Sequence, residues 1–319
     1  EDGTCHHRQQ ALLQASFVSR ISSSVLMVRP GCFGANPETA ESNVFQASTS
    51  AGDPTDVAFR AGEEFEAAVL TLTEAGVDVA VLDPADPRLT DSVFPNNWFS
   101  THRGGKLVLY PMMAPSRRLE RQPERLLAAL RQKGGSVQHI LDFRSYEDRG
   151  LFLEGTGSMV LDRLKMYAYA CLSDRTSEEV FREVWGALGY QPVVFEAVEA
   201  GVQIYHTNVL MAICEGFAVL CGDSLVTERA PVTDALASSG LEVLEITREQ
   251  MRSFCGNILQ VRTASGEPTT IMSASAREAF TDLQMSRIES YGGVTVCEIP
   301  TIELFGGGSI RCMLAEIDL

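Results

Sequence analysis

Five polar residues recur at nearly even spacing along this chain. Asn97, Glu154, His206, Asn257 and Cys312 follow one another at intervals of 57, 52, 51 and 55 residues, each within a run that reads as a buried strand. A period of this length marks a repeat architecture, in which each unit is a supersecondary block that cannot bury its own faces alone. The first unit reads Val77–Leu82, Asn96–Ser100 and Lys106–Tyr110; the second Ser136–Leu141, Phe152–Leu161 and Lys165–Ala170. The third reads Pro192–Phe195, His206–Met211 and Ala218–Cys221, and the fourth Leu241–Ile246, Cys255–Val261 and Thr270–Ser273. The fifth keeps Val294–Ile299 and Ser309–Ile317 but lacks a third strand, and Val25–Val28 near the N-terminus is the candidate to supply it.

Helical periodicity fills the gaps, over Glu63–Glu74, Pro123–Lys133, Ser177–Leu188, Pro231–Ser239 and Ser275–Ser290. Four of these stretches end at or near a glycine (Gly76, Gly134, Gly189, Gly240), the residue that most readily takes the left-handed conformation that stops a helix. The pattern predicts an α/β fold in which five blocks sit radially as a closed pseudosymmetric propeller. Equivalent positions would then face one axis, so residues far apart in sequence would meet.

At 319 residues the chain is long enough for a large core, and without a Pro/Gly/Ser-rich linker it reads as one domain over 25–319. Residues 1–24 are polar and aperiodic and read as a flexible extension, a remnant or an organellar segment. No apolar run approaches the ~20 residues of a membrane span and no basic secretory leader opens the sequence, so a cytoplasmic protein with no membrane partner is expected. The net charge of −16 argues against nucleic acid, whose phosphates call for clustered Lys and Arg. Eight scattered cysteines without a C-x-x-C pair read as reduced thiols rather than a disulfide or zinc framework. No His/Cys/carboxylate grouping has metal-ligand spacing, and the glycine run at 306–308 lacks the following Lys of a phosphate loop, so no metal and no cofactor are expected.

Alone, Cys312 reads as a small buried hydrophobe and His206 as a satisfied core group. Glu154, set between Leu153 and Gly155 in an apolar run, is costly to bury unless it is paired or functional. At equivalent repeat positions the three read together as a thiol catalyst, with Gly306–Gly308 giving a ligand room to approach the backbone.

The motifs Arg29-Pro30, Asn36 to Ala40, Asp91 to Thr101, Pro115 to Glu120, Leu153-Glu154-Gly155, Ser173 to Thr176, His206-Thr207-Asn208 and Gly306 to Cys312 cover residues 25–317 in order. This set resembles the guanidine-modifying superfamily of arginine deiminases, dimethylarginine hydrolases and amidinotransferases, most closely its citrulline-utilisation hydrolase type. The resemblance implies a five-bladed propeller of ββαβ units and a hydrolase of non-peptide C–N bonds acting on a guanidino or ureido amino acid. Cys312 would be the nucleophile, His206 the acid and base, and Glu154 the group that holds the substrate nitrogens. Arg175 would grip the α-carboxylate, with Arg118 as a second candidate. Asp91, Asn97, Asn208 and Gly308 would complete the substrate site.

Two departures bear on the substrate. Asn96-Asn97 stands where relatives carry Glu-Asp, and Asn208 stands where deiminases carry aspartate. An amide cannot neutralise a buried cation but both donates and accepts, which suits a neutral ureido group. The expectation is therefore a preference for citrulline, with arginine or methylarginine hydrolysis and amidino transfer as alternatives and a non-catalytic binding propeller as a remote one. Assembly into a homo-oligomer is left open.

Overall fold

The computed structural model describes residues 19–40, 43, 45–46 and 53–319. Strands β1 (Ser24–Val28) and β2 (Asp78–Leu82) run parallel, joined by the helix Pro54–Glu74. Next, β3 (Phe99–His102) and β4 (Lys106–Leu109) form a hairpin, and the helix Pro123–Gln132 carries the chain to β5 (His139–Asp142), parallel to β4. The same order recurs in β6 (Met159–Asp162), β7 (Tyr167–Cys171) and β8 (Gln191–Phe195). After a small hairpin of β9 (Val198–Glu199) and β10 (Val202–Gln203), it recurs in β11 (Met211–Ile213), β12 (Phe217–Leu220) and β13 (Glu242–Glu245), and in β14 (Leu259–Arg262), β15 (Pro268–Ser273) and β16 (Gly293–Cys297). Last, β17 (Ala315–Ile317) pairs antiparallel with β1, with Leu26 opposite Ala315. The described residues thus form five three-stranded sheets of one pattern, and the N-terminal strand completes the sheet that the C-terminus leaves short.

The grouping of strands differs from the sequence reading. Val77–Leu82 belongs with β1 and not with the strands that follow it, and each later unit is likewise cut one strand too early. Parallel neighbours need a long crossover, so the strand after each helix returns to the sheet before it. Periodicity reveals a repeat but not where one unit begins.

The helices fill the spaces between sheets. In Glu178–Leu188, Val180, Phe181, Val184, Trp185 and Leu188 share one buried face packed with Val108, Tyr110, Ala168 and Ala170 from two different sheets. Each such side chain contributes about 1.5–3 kcal/mol relative to exposure. Ser177 precedes this helix in extended conformation, Glu178 and Glu179 sit at its positive end, and Gly189 ends it at φ 81°. Two helix boundaries depart from expectation. The first helix begins at Pro54 rather than Glu63, capped by Asp53, whose side chain accepts from Thr55 N at 2.8 Å. The last splits into Ala274–Ala279 and Asp282–Glu289, because Thr281 and Gln284 start a new capping box.

The part of the expected extension that is described is not loose. Arg20 is buried, with Nε 2.9 Å from Asp162 and Nη2 donating to Ser239 O at 3.1 Å. Residues 1–18 lie outside the described residues. No described helix is long and apolar enough to cross a membrane, and the seven described cysteines are unpaired.

Candidate active site

Each of the five periodic residues lies two to five positions ahead of the first strand of a sheet. They sit not within strands, as the sequence suggested, but in the turns that lead into them. Asn97 ends the turn Pro95–Asn97, Glu154 precedes the one-turn helix Gly155–Ser158, His206 precedes Thr207–Val209, and Cys312 lies in Ile310–Met313. Asn257 occupies the turn before β14. Within a strand, successive side chains alternate between two packed faces; a single helical turn frees the side chain to point along the strand ends instead.

Those turns bring the residues together. His206 Nε2 and Glu154 Oε2 are 2.8 Å apart, and Glu154 Oε1 accepts from Met113 N at 3.0 Å. Burial alone would raise the Glu154 carboxyl, but Arg175, with Nη1 3.7 Å away, and the hydrogen bond from His206 hold it at about 2. Burial pushes His206 down to about 4, against the pull of Glu154. The pair at neutral pH is therefore imidazole and carboxylate, with Nε2–H donating to Glu154. Close packing fixes the ring: a Cβ on Gly157 would stand 2.7 Å from His206 Nδ1, so only glycine fits there. Gly155, at φ 49°, likewise abuts Asn96 O.

Cys312 Sγ receives two amides, Asn257 Nδ2 at 3.3 Å and Asn208 Nδ2 at 3.5 Å, while Asn257 Nδ2 also donates to Asn208 O at 2.9 Å. Both amide groups converge on the sulfur, whose own proton can reach Asn257 Oδ1 at 3.7 Å. Cys312, His206, Asp91, Asn97, Arg117 and Arg175 line one cavity, closed over by Thr39, Asn43, Phe94, Tyr205, Gly306 and Gly308. It offers about 20 Å³, roughly the room of a single water, so a larger guest enters only by displacing wall side chains. Arg175 Nη2 donates to Thr39 O at 3.0 Å, and its guanidinium lies 4.7 Å from the Tyr205 ring centre.

Not every expected residue lines this space. Arg118 turns away: its guanidinium donates to Met112 O and Met113 O at 2.9 and 3.1 Å and lies 3.5 Å from Glu147. The arginine at the cavity is Arg117, held by Glu120 at 3.1 and 3.0 Å and donating to Asn97 Oδ1 at 2.7 Å. Its signal in the sequence was Glu120 three positions on, a partner that lets a buried guanidinium persist. Glu154 stands behind His206 with both oxygens engaged rather than on the cavity wall. Asn257 belonged to the spacing but had no assigned role, and Asn36, which donates to Asp91 Oδ2 at 2.8 Å, went unnoticed as a site residue. Asn96 is buried with neither amide atom paired among the described residues.

A family profile described as N,N-dimethylarginine dimethylhydrolase, eukaryotic, matches residues 29–319. The chain belongs to this dimethylarginine dimethylhydrolase family. Membership makes it a hydrolase of guanidino C–N bonds. Among solved structures, the N-terminal domain of ArgZ, an arginine dihydrolase from the ornithine-ammonia cycle in cyanobacteria, is similar at 15% identity and TM-score 0.69, over 92% of this chain and 98% of that one. A dimethylarginine dimethylaminohydrolase captured as an adduct with S-methyl-L-thiocitrulline is similar at 17% identity and TM-score 0.61, over 93% and 100%. AgrE bound to L-arginine is similar at 16% identity and TM-score 0.67, where this chain spans 40% of the longer protein. At such identities the likeness establishes the mixed α/β fold. No curated protein sequence matches.

Proposed function

We propose that the protein hydrolyses the terminal C–N bond of an arginine-type guanidino amino acid through a covalent Cys312 intermediate. The observation that carries this is the single cavity lined by Cys312, His206, Asp91, Asn97 and two arginines, with Glu154 behind the imidazole. The buried groups Asp91, Glu120 and Glu154 set three carboxylates against the two guanidiniums Arg117 and Arg175. Burial pushes Asp91 up and Glu120 up to about 8, so that Glu120 can keep its proton at neutral pH and the remaining two carboxylates balance the two guanidiniums.

In this reading Sγ bonds to the guanidino carbon while His206 takes the thiol proton and passes it to the departing nitrogen, which leaves as ammonia or an alkylamine. Water then loses a proton to His206 and attacks the amidino thioether. The C–S bond breaks, sulfur recovers the proton, and a ureido amino acid is released. Glu154 positions the imidazole, and Arg175 takes the substrate carboxylate. The five like sheets, with β17 beside β3, and with β6 and β14 each beside β11, fit a five-bladed arrangement in which these turns share one end. Unpaired thiols fit a reducing, cytoplasmic setting.

A second reading, hydrolysis of citrulline through a carbamoyl thioester, draws support from the neutral Asn97 at the wall and from Arg117 lying 3.7 Å from Asp91, the wall's one carboxylate. Incubation with arginine, mono- and dimethylarginine, and citrulline, with amino acid and amine products quantified, separates the two. Citrulline formed from arginine or its methylated forms is the expected result; ornithine from citrulline alone selects the second reading. Full turnover by Cys312→Ala overturns both.

A further inference from the structure

At the far ends of the strands that begin at the catalytic turns lies a second cavity, of about 320 Å³. It opens between the β3–β4 turn, the β6–β7 turn, the end of the helix Glu178–Leu188 and Asp318. Five residues of chain from Asn97 to His102 place it roughly 15 Å from the first cavity. In a chain of net charge −16, its polar wall is basic: Arg103, Lys106 and Arg163 face Asp318 alone among acids. Leu188, Met166 and Tyr190 supply an apolar side.

Two of the wall's buried side chains are incompletely satisfied. Arg163, 4% exposed, donates through Nη1 to Thr101 O at 3.2 Å and Asp318 Oδ2 at 3.1 Å, and through Nε to Glu316 Oε1 at 3.3 Å, yet Nη2 has no partner among the described residues. His102, also 4% exposed, shares Nε2 with Ser100 Oγ at 2.7 Å and leaves Nδ1 unpaired. An unpaired buried donor is costly, and both orphaned atoms are fully buried behind the cavity wall, within reach of a guest only when the wall side chains shift. Burial, and then the nearby Arg163 and Lys106, hold His102 well below the usual histidine range, as a site of positive potential would.

We propose that this cavity binds a small organic anion, a carboxylate or phosphate carried on an apolar body, independently of the Cys312 site. The basic side meets the charged head and the Leu188–Tyr190 side meets the body, the division of labour of a small-molecule pocket. The volume is that of about ten water molecules, so solvent is the competing occupant.

Isothermal titration of the full chain with phenylacetate, its neutral isostere phenylacetamide and inorganic phosphate tests this. The expected result is that phenylacetate binds at least ~10-fold more tightly than phenylacetamide, in both wild type and Cys312→Ala. The double variant Arg103→Gln/Lys106→Gln, at half-exposed positions away from the reacting groups, retains its melting temperature and loses at least ~10-fold in affinity. Phosphate binding with the same dependence assigns a phosphate head; binding of the carboxylate alone assigns a carboxylate. Equal affinity for acid and amide, binding unchanged in the double variant, or no anion binding up to about 10 mM overturns the proposal and leaves a water-filled cavity.

Discussion

Gly157→Ala isolates the placement of the imidazole from everything else in the site. Gly157 lies in the one-turn helix Gly155–Ser158 and does not adopt a positive φ, so alanine is acceptable to the backbone itself. The obstacle is contact: the added Cβ would lie 2.7 Å from His206 Nδ1, 2.8 Å from Cε1 and 2.4 Å from Asn97 Nδ2. Restoring the 3.4 Å of ordinary contact requires the ring to recede by about 0.7 Å and the amide by about 1.0 Å. His206 is buried and anchored at 2.8 Å to Glu154, so a shift of that size stretches the bond that sets its tautomer. Misplacement on the order of 1 Å costs about 100-fold in rate, or roughly 2.7 kcal/mol of transition-state stabilisation, while overpacking costs about 1–3 kcal/mol of stability. The assay is kcat/KM on the best arginine-type substrate, with melting temperature measured in parallel. Gly186→Ala serves as control, because that glycine is inside a helix with open space around its missing Cβ and gains at most about 1 kcal/mol. If Gly157→Ala keeps kcat/KM within about 3-fold of wild type, the reasoning that the imidazole is held by close packing fails.

Glu154→Gln keeps the shape but removes the charge that sets the His206 tautomer, and kcat should fall by about 100-fold or more with KM little changed; a fall confined to KM would contradict a positioning role. Arg117→Gln should destabilise the fold by roughly 3–5 kcal/mol in urea denaturation, because it leaves Glu120 buried without its cation. Arg118→Gln, whose guanidinium faces Met112 and Met113 carbonyls, should leave kcat/KM within about 10-fold, and a larger loss would return it to the site. Relative to a His206→Asn variant, stability should rise with pH between about 5 and 6, because the unfolded His206 binds a proton below about 6.5 whereas the folded one does so only near 4, while the opposite contribution of Glu120, raised to about 8, is common to both proteins. One such group contributes a slope of up to about 1.4 kcal/mol per pH unit, and buried His102 adds a second of the same sign. His206→Asn should remove the first share; an unchanged slope would show that the imidazole is not held neutral.

What the sequence by itself determined is the repeat and the residues it marks. Near-even intervals from Asn97 to Cys312 followed from the fold's internal likeness, and the need for Val25–Val28 to complete the last sheet followed from counting strands. Apolar periodicity reports which side chains must leave water, and that is a property local enough to survive in a linear string. Tertiary structure alone decided the rest. It decided which of two adjacent arginines turns inward, because Arg117 finds Glu120, Asn97 and Phe94 O while Arg118 finds the carbonyls of Met112 and Met113. It also decided where each unit begins, since a parallel strand returns to the sheet before its helix. Finally, it set Glu154 behind His206 rather than on the cavity wall, because a buried carboxylate is placed by the donors that surround it, here Met113 N and the imidazole, and those come from other parts of the chain.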